Sequence, residues 1–188
     1  MKKIINLAQK WAESDTAFQI EEKYYCATRD IFQPRFDSMV NFLLNNSEIP
    51  ENDVYILSAI ASEIGNNSFD HNLGNWPDIV GIFFAYEIDG KKLTIILADR
   101  GQGILKTLKR VKPELKNDQE ALDTAFNEKI SGRAPESRGN GLKFVKESVK
   151  QTESHLVFIS GSAKAELNNE MKISQSGKIN GCLAIISN

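Results

Sequence analysis

Apolar and polar residues follow one another along the chain in patterns that predict both helices and strands. Apolar residues at helical spacing predict helices over residues 1–14, 36–45, 53–71, 119–126 and 142–150. Apolar runs predict strands over 79–88, 93–98, 156–160 and 182–186, and a short one over 16–20. Asp89 and Gly90 separate the first two of the longer runs as in a hairpin, and the run over 93–98 is apolar enough for a buried central strand.

Breaks and polar segments complete this pattern. Pro34 is expected to interrupt the chain before the helix over 36–45, and Asn52 or Asp53 is the expected N-cap of the helix over 53–71. The stretch 105–137 is charged and poor in apolar residues. The polar stretch 163–178 fits a strand with an exposed hairpin, but its pattern does not place it.

Composition narrows the class of protein. A chain of 188 residues with 41% hydrophobic and 26% charged residues is typical of one globular domain. The net charge of -2 gives no general attraction to nucleic acid or to a membrane surface. Cys26 and Cys182 lie far apart and form no disulfide framework, and no run is long enough for a signal peptide or a membrane span. We therefore expect a cytoplasmic protein.

The stretch 62–72 carries the first candidate site. Glu63, Asn67 and Asp70 lie along one side of the predicted helix, beside an apolar or small stripe formed by Leu57, Ile60, Ala61, Ile64 and Ser68. Gly65 and Asn66 are poor helix formers, so a requirement other than helix stability selects them. A solvated helix face with an Asn-rich end explains this stretch equally well when it is taken alone.

A glycine motif follows the buried strand over 93–98. Asp99 ends that strand, and Gly101 and Gly103 permit a tight turn and the close approach of a ligand. A carboxylate held there can accept a hydrogen bond from a buried donor such as the amine of a base. Taken alone, this composition is also that of a common turn.

A second glycine motif opens the helix over 142–150. It consists of Arg138, Gly139, Asn140, Gly141 and Leu142. Glycines at a helix start leave backbone N–H groups facing outward, where the helix dipole favours a phosphate. A simple turn with a helix cap would have the same composition.

The order and spacing of the three motifs resemble the ATP-binding superfamily of DNA gyrase, heat-shock chaperones, histidine kinases and MutL, called GHKL. The stretch from Glu63 to Asp70 is similar to the N-box of that family, and the two glycine motifs are similar to its two glycine boxes. The resemblance covers residues 52–187. The chain has no P-loop pattern, so ATP would be held in the manner of this family.

The resemblance implies a role for each matching residue. Asn67 would coordinate Mg²⁺ through its amide oxygen, and Glu63 would act as general base on a water or a substrate hydroxyl. Asp99 would bind the adenine amine, and Asp70 would support the site. The remaining residues implied to contact nucleotide are Gly101, Gly103, Arg138, Gly139, Asn140, Gly141 and Leu142, and the segment between Gly103 and Gly139 would form a lid.

Some positions depart from the family pattern. The last strand begins with Gly181 and Cys182 where the family has Gly-Thr, so a contact from this position to adenine is in doubt. The second glycine box is also shorter than in many histidine kinases. Lys129, Arg133 and Arg138 of the lid have side chains long enough to contact a γ-phosphate. For each of them, however, a position on the solvated surface is the better explanation. His71 is interpreted as a local packing or hydrogen-bonding group.

The resemblance implies the fold as well. It is an α+β, two-layer α/β sandwich of the Bergerat type, with a mixed, mostly antiparallel sheet covered on one face by helices over 36–45, 53–71 and 141–150. Residues 1–188 would form a single ATP-binding domain, with 1–30 as an N-terminal appendage. The first helix would pack on its own domain, although a dimer or partner contact is left open.

Among family members, the chain is most similar to stand-alone anti-sigma-factor serine kinases. This implies an ATP·Mg²⁺-binding regulator that phosphorylates a small partner protein on Ser or Thr. One alternative is an ATP-gated switch with slow hydrolysis by Glu63, and another is a nucleotide-binding module without turnover. The expected partners are ATP, a protein and, as an open alternative, a second copy of the chain; neither nucleic acid nor a membrane is expected.

Overall fold

The computed structural model describes residues 2–15, 18–72, 74–130, 141–152 and 154–188. In these residues six α-helices are formed: α1 (Lys2–Glu13), α2 (Arg29–Asn46), α3 (Glu51–Asn72), α4 (Gly103–Leu108), α5 (Asp118–Asn127) and α6 (Gly141–Gln151). Seven strands accompany them: β1 (Tyr25–Cys26), β2 (Ile82–Asp89), β3 (Lys92–Asp99), β4 (His155–Ser160), β5 (Ala163–Leu167), β6 (Met171–Gln175) and β7 (Cys182–Ser187). A short 3-10 helix, Glu22–Tyr24, precedes β1.

The strands form one open sheet in the order β1-β2-β3-β7-β4-β5-β6. Every strand pair in the described residues is antiparallel, so the expectation of a mixed sheet is wrong. The reason is the position of β7. The connection through α4, α5 and α6 makes β3 and β4 parallel to each other, but β7 lies between them and pairs antiparallel with both.

The main core lies between the sheet and a layer of helices, which confirms the α+β class. Leu93, Ile95 and Leu97 of β3 are buried towards α2, α3 and α6. The apolar stripe predicted for α3 forms the facing side, with Leu57 and Ile60 among its buried members. Because β3 lies between β2 and β7, the prediction of a central covered strand is confirmed.

Helix α1 covers the opposite face of the sheet. Its buried residues Ala8, Trp11 and Ala12 belong to a second core cluster together with Phe83 and Ile96 of the sheet. The apolar stripe of the first helix is therefore covered by its own domain, as expected. The helices do not all lie on one face, and the sandwich has a local third layer here.

Pro34 does not interrupt the helix, so the prediction of a break at this residue is wrong. Helix α2 begins at Arg29 and contains Pro34 in its second turn. The turn before the proline carries Phe32, which is fully buried against the rings of Phe36 and Phe84 at centroid distances of 5.5 and 5.4 Å. Burial of this ring compensates for the hydrogen bond that the proline cannot donate.

The start of α3 also differs from the prediction. The carbonyl of Pro50 accepts hydrogen bonds from the backbone N–H groups of Asp53, at 2.9 Å, and Val54, at 3.1 Å. The helix therefore begins at Glu51, and Asn52 and Asp53 lie within its first turn. A proline is well suited to this boundary because it needs no helical partner for a backbone N–H.

The remaining differences concern short elements. No strand forms in the described residues of the stretch 16–20, which are 18–20, whereas the unplaced stretch 163–178 contains β5 and β6. The charged stretch after Gly103 holds α4, which was not predicted, and α5, which was. A small cluster of Leu108, Leu115, Ala121 and Ala125 joins these two helices. The part of the expected lid before residue 131 is thus built into the domain.

Candidate functional site

Helix α3 contacts both glycine motifs along its second half. Ser68 binds Asp99 at the end of β3 and Asn72 binds the loop that follows, whereas Glu63 and Asn67 lie against Gly141 at the start of α6. Residues four positions apart lie on one side of a helix, so each pair contacts one motif. The three motifs, which are far apart in sequence, therefore meet around this helix.

Asp99 is the most deeply buried carboxylate of the site, with 3% of its surface exposed. The Ser68 hydroxyl donates to its Oδ2 at 2.9 Å, and the Gly101 N–H donates to its Oδ1 at 2.8 Å. Burial raises the pKa of Asp99 to about 6, and hydrogen bonds from Gly101, Ser68, Asn72 and the Cys182 backbone oppose that shift. All of these donors are neutral groups.

The glycine loop after Asp99 is held by Asn72. The Asn72 amide donates to the Ser68 carbonyl at 2.6 Å and accepts from the Gln102 N–H at 3.0 Å. A side chain on Gly101 would overlap the Asn72 amide, so only glycine fits this approach. Sequence reasoning gave Asn72 no role, although its four-residue spacing from Ser68 places both on one side of α3.

Cys182 lies beside Asp99 on the neighbouring strand. Asp99 pairs with Cys182 in the β3–β7 register, and Cys182 pairs with Ser160 in the β7–β4 register. Its thiol donates to the Ser160 hydroxyl at 3.5 Å. Burial raises the pKa of the Cys182 thiol well above its ordinary value, so the thiol is neutral. The preceding Gly181 has a positive φ of 69°, and a side chain there would overlap Asp99.

Glu63 and Asn67 form the polar pair at the start of α6. The Asn67 amide nitrogen donates to Glu63 Oε1 at 3.1 Å, which turns the amide oxygen away from the carboxylate. A side chain on Gly141 would collide with the Glu63 carboxylate. An amide oxygen and a carboxylate suit Mg²⁺, which commonly uses few protein ligands together with phosphate and water. The described residues contain no group of three His, Cys, Asp or Glu side chains placed to hold a metal ion.

Asp70 contacts helix α2. It forms an ion pair with Arg29 at the start of α2, and Arg29 also donates to the Asn66 carbonyl at 3.3 Å. Asp70 thus joins α3 to α2. The backbone carbonyl of His71 accepts a hydrogen bond from the Gln102 side chain at 2.6 Å.

The second glycine motif is described only from Gly141 onwards. Arg138, Gly139 and Asn140, like Arg133 in the expected lid, lie outside the described residues. Leu142 is partly buried and packs against the main core and the small cluster beside it. Lys129 is exposed near the end of the described part of the lid segment.

Arg100 turns to the opposite side of the sheet from Asp99. It is 1% exposed, donates to the Trp11 carbonyl at 2.9 Å and forms an ion pair with Asp78. Its guanidinium carbon lies 5.8 Å from the centroid of the Trp11 ring. The sequence offered no signal for this burial, because an arginine in a glycine-rich loop is usually exposed.

Comparison with known proteins gives no assignment for this chain. No protein-family model matches it, and no curated protein matches it. No helix within the described ranges is both long and apolar enough to cross a membrane. The functional argument therefore rests on the sequence motifs and on the geometry around α3.

Proposed function

We propose that this chain is an ATP-binding regulatory domain of the GHKL type, with a Bergerat-type fold, which phosphorylates a partner protein on Ser or Thr. The observation that carries the proposal is the convergence of the three motifs on α3. A cytoplasmic location, consistent with two free cysteines, is part of the proposal.

The environment of Asp99 supports recognition of a base. Its carboxylate is buried among neutral donors, and its raised pKa shows that these donors do not fully compensate for the loss of water. An amine on a bound base would donate a further hydrogen bond to the ionised carboxylate. Gly101 has no side chain, which lets the Asn72 amide lie against the loop and hold it beside the carboxylate.

The pair beside Gly141 supports binding and transfer of phosphate. Asn67, held by Glu63, would be the protein ligand of Mg²⁺, an ion that neutralises phosphate charge and orients the triphosphate when it is bound. The N–H groups at the start of α6 would face the phosphates. Glu63 would accept the proton of the attacking hydroxyl, as a general base positioned by the Asn67 amide.

A second candidate is an ATP-gated switch with slow hydrolysis. It is favoured by the contact between Arg100, in the loop that follows Asp99, and the Trp11 carbonyl in α1. Through this contact, a change in the conformation of the loop would move α1 on the opposite face of the sheet. In this case Glu63 would activate water rather than a protein hydroxyl.

Calorimetric titration with ATP and ADP, with and without Mg²⁺, tests the nucleotide site. We expect Mg²⁺-dependent binding of ATP that is lost in Asp99→Asn, because an amide presents a donor where the base amine also donates. The matched control is Asp89→Asn, which makes the same change at an exposed hairpin position. Absence of ATP binding by the unmodified chain, or equal binding by Asp99→Asn, would overturn the proposal.

Glu63→Gln separates chemistry from binding. We expect nucleotide affinity to stay within about threefold, since the amide keeps the size of the carboxylate, and turnover to fall by about 10²–10⁴-fold. Transfer of labelled γ-phosphate to candidate proteins distinguishes a kinase from a hydrolytic switch. Glu147→Gln, an exposed position on α6, is the control. Loss of ATP binding in a folded Glu63→Gln variant would contradict the role given to Glu63.

A further inference from the structure

A groove runs between α2 and α3 on their outer surface. It has a volume of about 510 Å³ and is open to solvent. Its lining includes Phe36, Asp37 and Val40 from α2 and Tyr55, Ser58 and Ser62 from α3. The groove is thus a mixed surface, with apolar side chains along its walls and polar groups between them.

The groove lies on the other flank of α3 from the candidate nucleotide site. Helix α3 packs against α2 on one side and against α6 on the other. Ser62 lines the groove, whereas the adjacent Glu63 faces Gly141 of α6. An occupant of the groove would therefore sit beside the nucleotide site without entering it.

The charged side chains that α2 after Arg35 and α3 carry are all acidic. The sequence contains no Lys or Arg between Arg35 and Lys91, a stretch that includes nearly all of α2 after its second turn and the whole of α3. Asp37 is an exposed residue of the lining, and Glu51 lies one turn before Tyr55. A hydrogen bond with the Glu51 carboxylate raises the pKa of the Tyr55 phenol, which places this carboxylate at the same rim.

Two further features of the lining are unusual for a surface that faces only water. Ser58 is 5% exposed, and within the part of the chain that the structure describes its hydroxyl has no hydrogen-bond partner. Such a hydroxyl is normally satisfied by the protein or by water. Tyr55 is 52% exposed although it is a large aromatic residue, and aromatic side chains of this kind are enriched at protein interfaces.

We propose that this groove binds a basic amphipathic helix of a partner protein. Apolar residues of the partner would pack against Val40 and Tyr55, as an amphipathic helix does in an apolar groove. Lysine or arginine residues at its edges would face Asp37 and Glu51. No lysine or arginine of α2 or α3 lines the groove and competes for these two carboxylates. This inference does not depend on nucleotide binding, because none of the lining residues belongs to the proposed nucleotide site.

The test uses a synthetic, fluorescein-labelled helical peptide of about five turns, with leucines on one face and lysines and arginines on the other. Fluorescence anisotropy measures its binding to the full chain. We expect a Kd on the order of 10 μM that weakens as salt is raised. A peptide with glutamate at every basic position, and a scrambled peptide of the same composition, should bind at least about tenfold more weakly.

Charge reversal locates the binding surface. In the double variant Asp37→Lys and Glu51→Lys we expect affinity for the basic peptide to fall about tenfold and the acidic peptide to bind in its place. Tyr55→Ala in the native chain should weaken binding of the basic peptide. The control is Glu170→Lys, which reverses an exposed charge beside β6. All of these positions are exposed, so circular dichroism and thermal melting should show an unchanged fold.

Either of two results would overturn the inference. One is equal binding of the basic peptide to the native chain and to the charge-reversed variant, or binding to neither. The other is a dimer, detected by light scattering, that Tyr55→Ala dissociates, because the groove would then be occupied by a second copy of the chain. ATP titration of the same variants should be unchanged, so failure here is distinguishable from failure of the nucleotide site.

Discussion

Two adjacent residues at the end of β3 carry buried charges in opposite surroundings. Arg100, behind the sheet, is paired with Asp78 and donates to the Trp11 carbonyl. Asp99, on the side of α3, receives hydrogen bonds from neutral groups, and its pKa is raised to about 6. The first charge is paired with an opposite charge within the fold, and the second is compensated only in part.

The difference separates a structural charge from a candidate binding charge. A buried charge that is paired and hydrogen-bonded within the fold fixes the position of its elements. A buried carboxylate with a raised pKa destabilises the fold, so its presence indicates a requirement other than stability. The following experiments change one side of this comparison at a time.

Replacing Arg100 should have the largest effect on stability. Arg100→Leu removes the cation that pairs with Asp78 and the donor to the Trp11 carbonyl, and we expect a loss of about 3 kcal/mol, since Asp78 keeps the Ile79 N–H and partial contact with water. Urea unfolding followed by circular dichroism gives the free energy. Lys109→Leu, at an exposed position, is the control. A loss below about 1 kcal/mol would mean that the pair is not structural.

Replacing Asp99 should change stability in the opposite direction. The asparagine side chain is nearly isosteric with aspartate, its oxygen can accept from Gly101 and its amide can donate to Ser68. Its amide cannot accept from all the remaining donors, but removal of the buried charge outweighs this loss, so Asp99→Asn should gain about 1 kcal/mol at neutral pH. Nucleotide affinity should fall at the same time. Stability and affinity measured on one preparation check this trade-off. A destabilised Asp99→Asn variant would show that the carboxylate holds the loop rather than a ligand.

The pH dependence of stability isolates the Asp99 carboxyl. Its pKa rises from the ordinary value of 3.8, which applies to the unfolded chain, to about 6 in the folded protein, so the folded state binds the proton more tightly. The destabilisation is complete above pH about 6 and disappears as the pH falls towards about 4. The stability gap between the native chain and Asp99→Asn should therefore close over this interval. Parallel curves would contradict the raised pKa.

Replacing Asp70 should have the smallest effect. Arg29, with which Asp70 forms an ion pair, is nearly half exposed, with 46% of its side chain accessible, so loss of this pair in Asp70→Asn should reduce stability by less than about 1 kcal/mol. ATP affinity should change by less than about threefold. A much larger loss of affinity, measured by calorimetry, would show that Asp70 supports the nucleotide site directly.

Much of the helical layer could be predicted because its signals are local. Helices α3, α5 and α6 and the strands β2, β3, β4 and β7 follow directly from apolar spacing. The strand β5 was harder, because two of its three buried positions, Ala163 and Ala165, are too small to give a clear alternation with the polar Lys164 and Glu166. Helix α4 is short and begins at Gly103, although glycine is more often found where a helix ends.

The parts of the site that escaped prediction depend on long-range contacts. Asn72 and Ser68 gain their role only when β3 brings Asp99 against α3. The burial of Arg100 depends on α1, nearly ninety positions away along the chain, and no local pattern signals it. Pro34 was misread for the same reason, because the rings that bury Phe32 come from distant elements.

The position of β7 has a consequence for how the protein is made. This strand follows β6 in the chain, yet it lies between β3 and β4, so the two halves of the sheet stay unjoined until it inserts. Before that, β3 and β4 present open edges that favour aggregation. The row of Asp99, Cys182 and Ser160 forms only with this insertion. A ligand recognised there would bind only chains in which β7 has inserted, and would therefore stabilise the completed sheet.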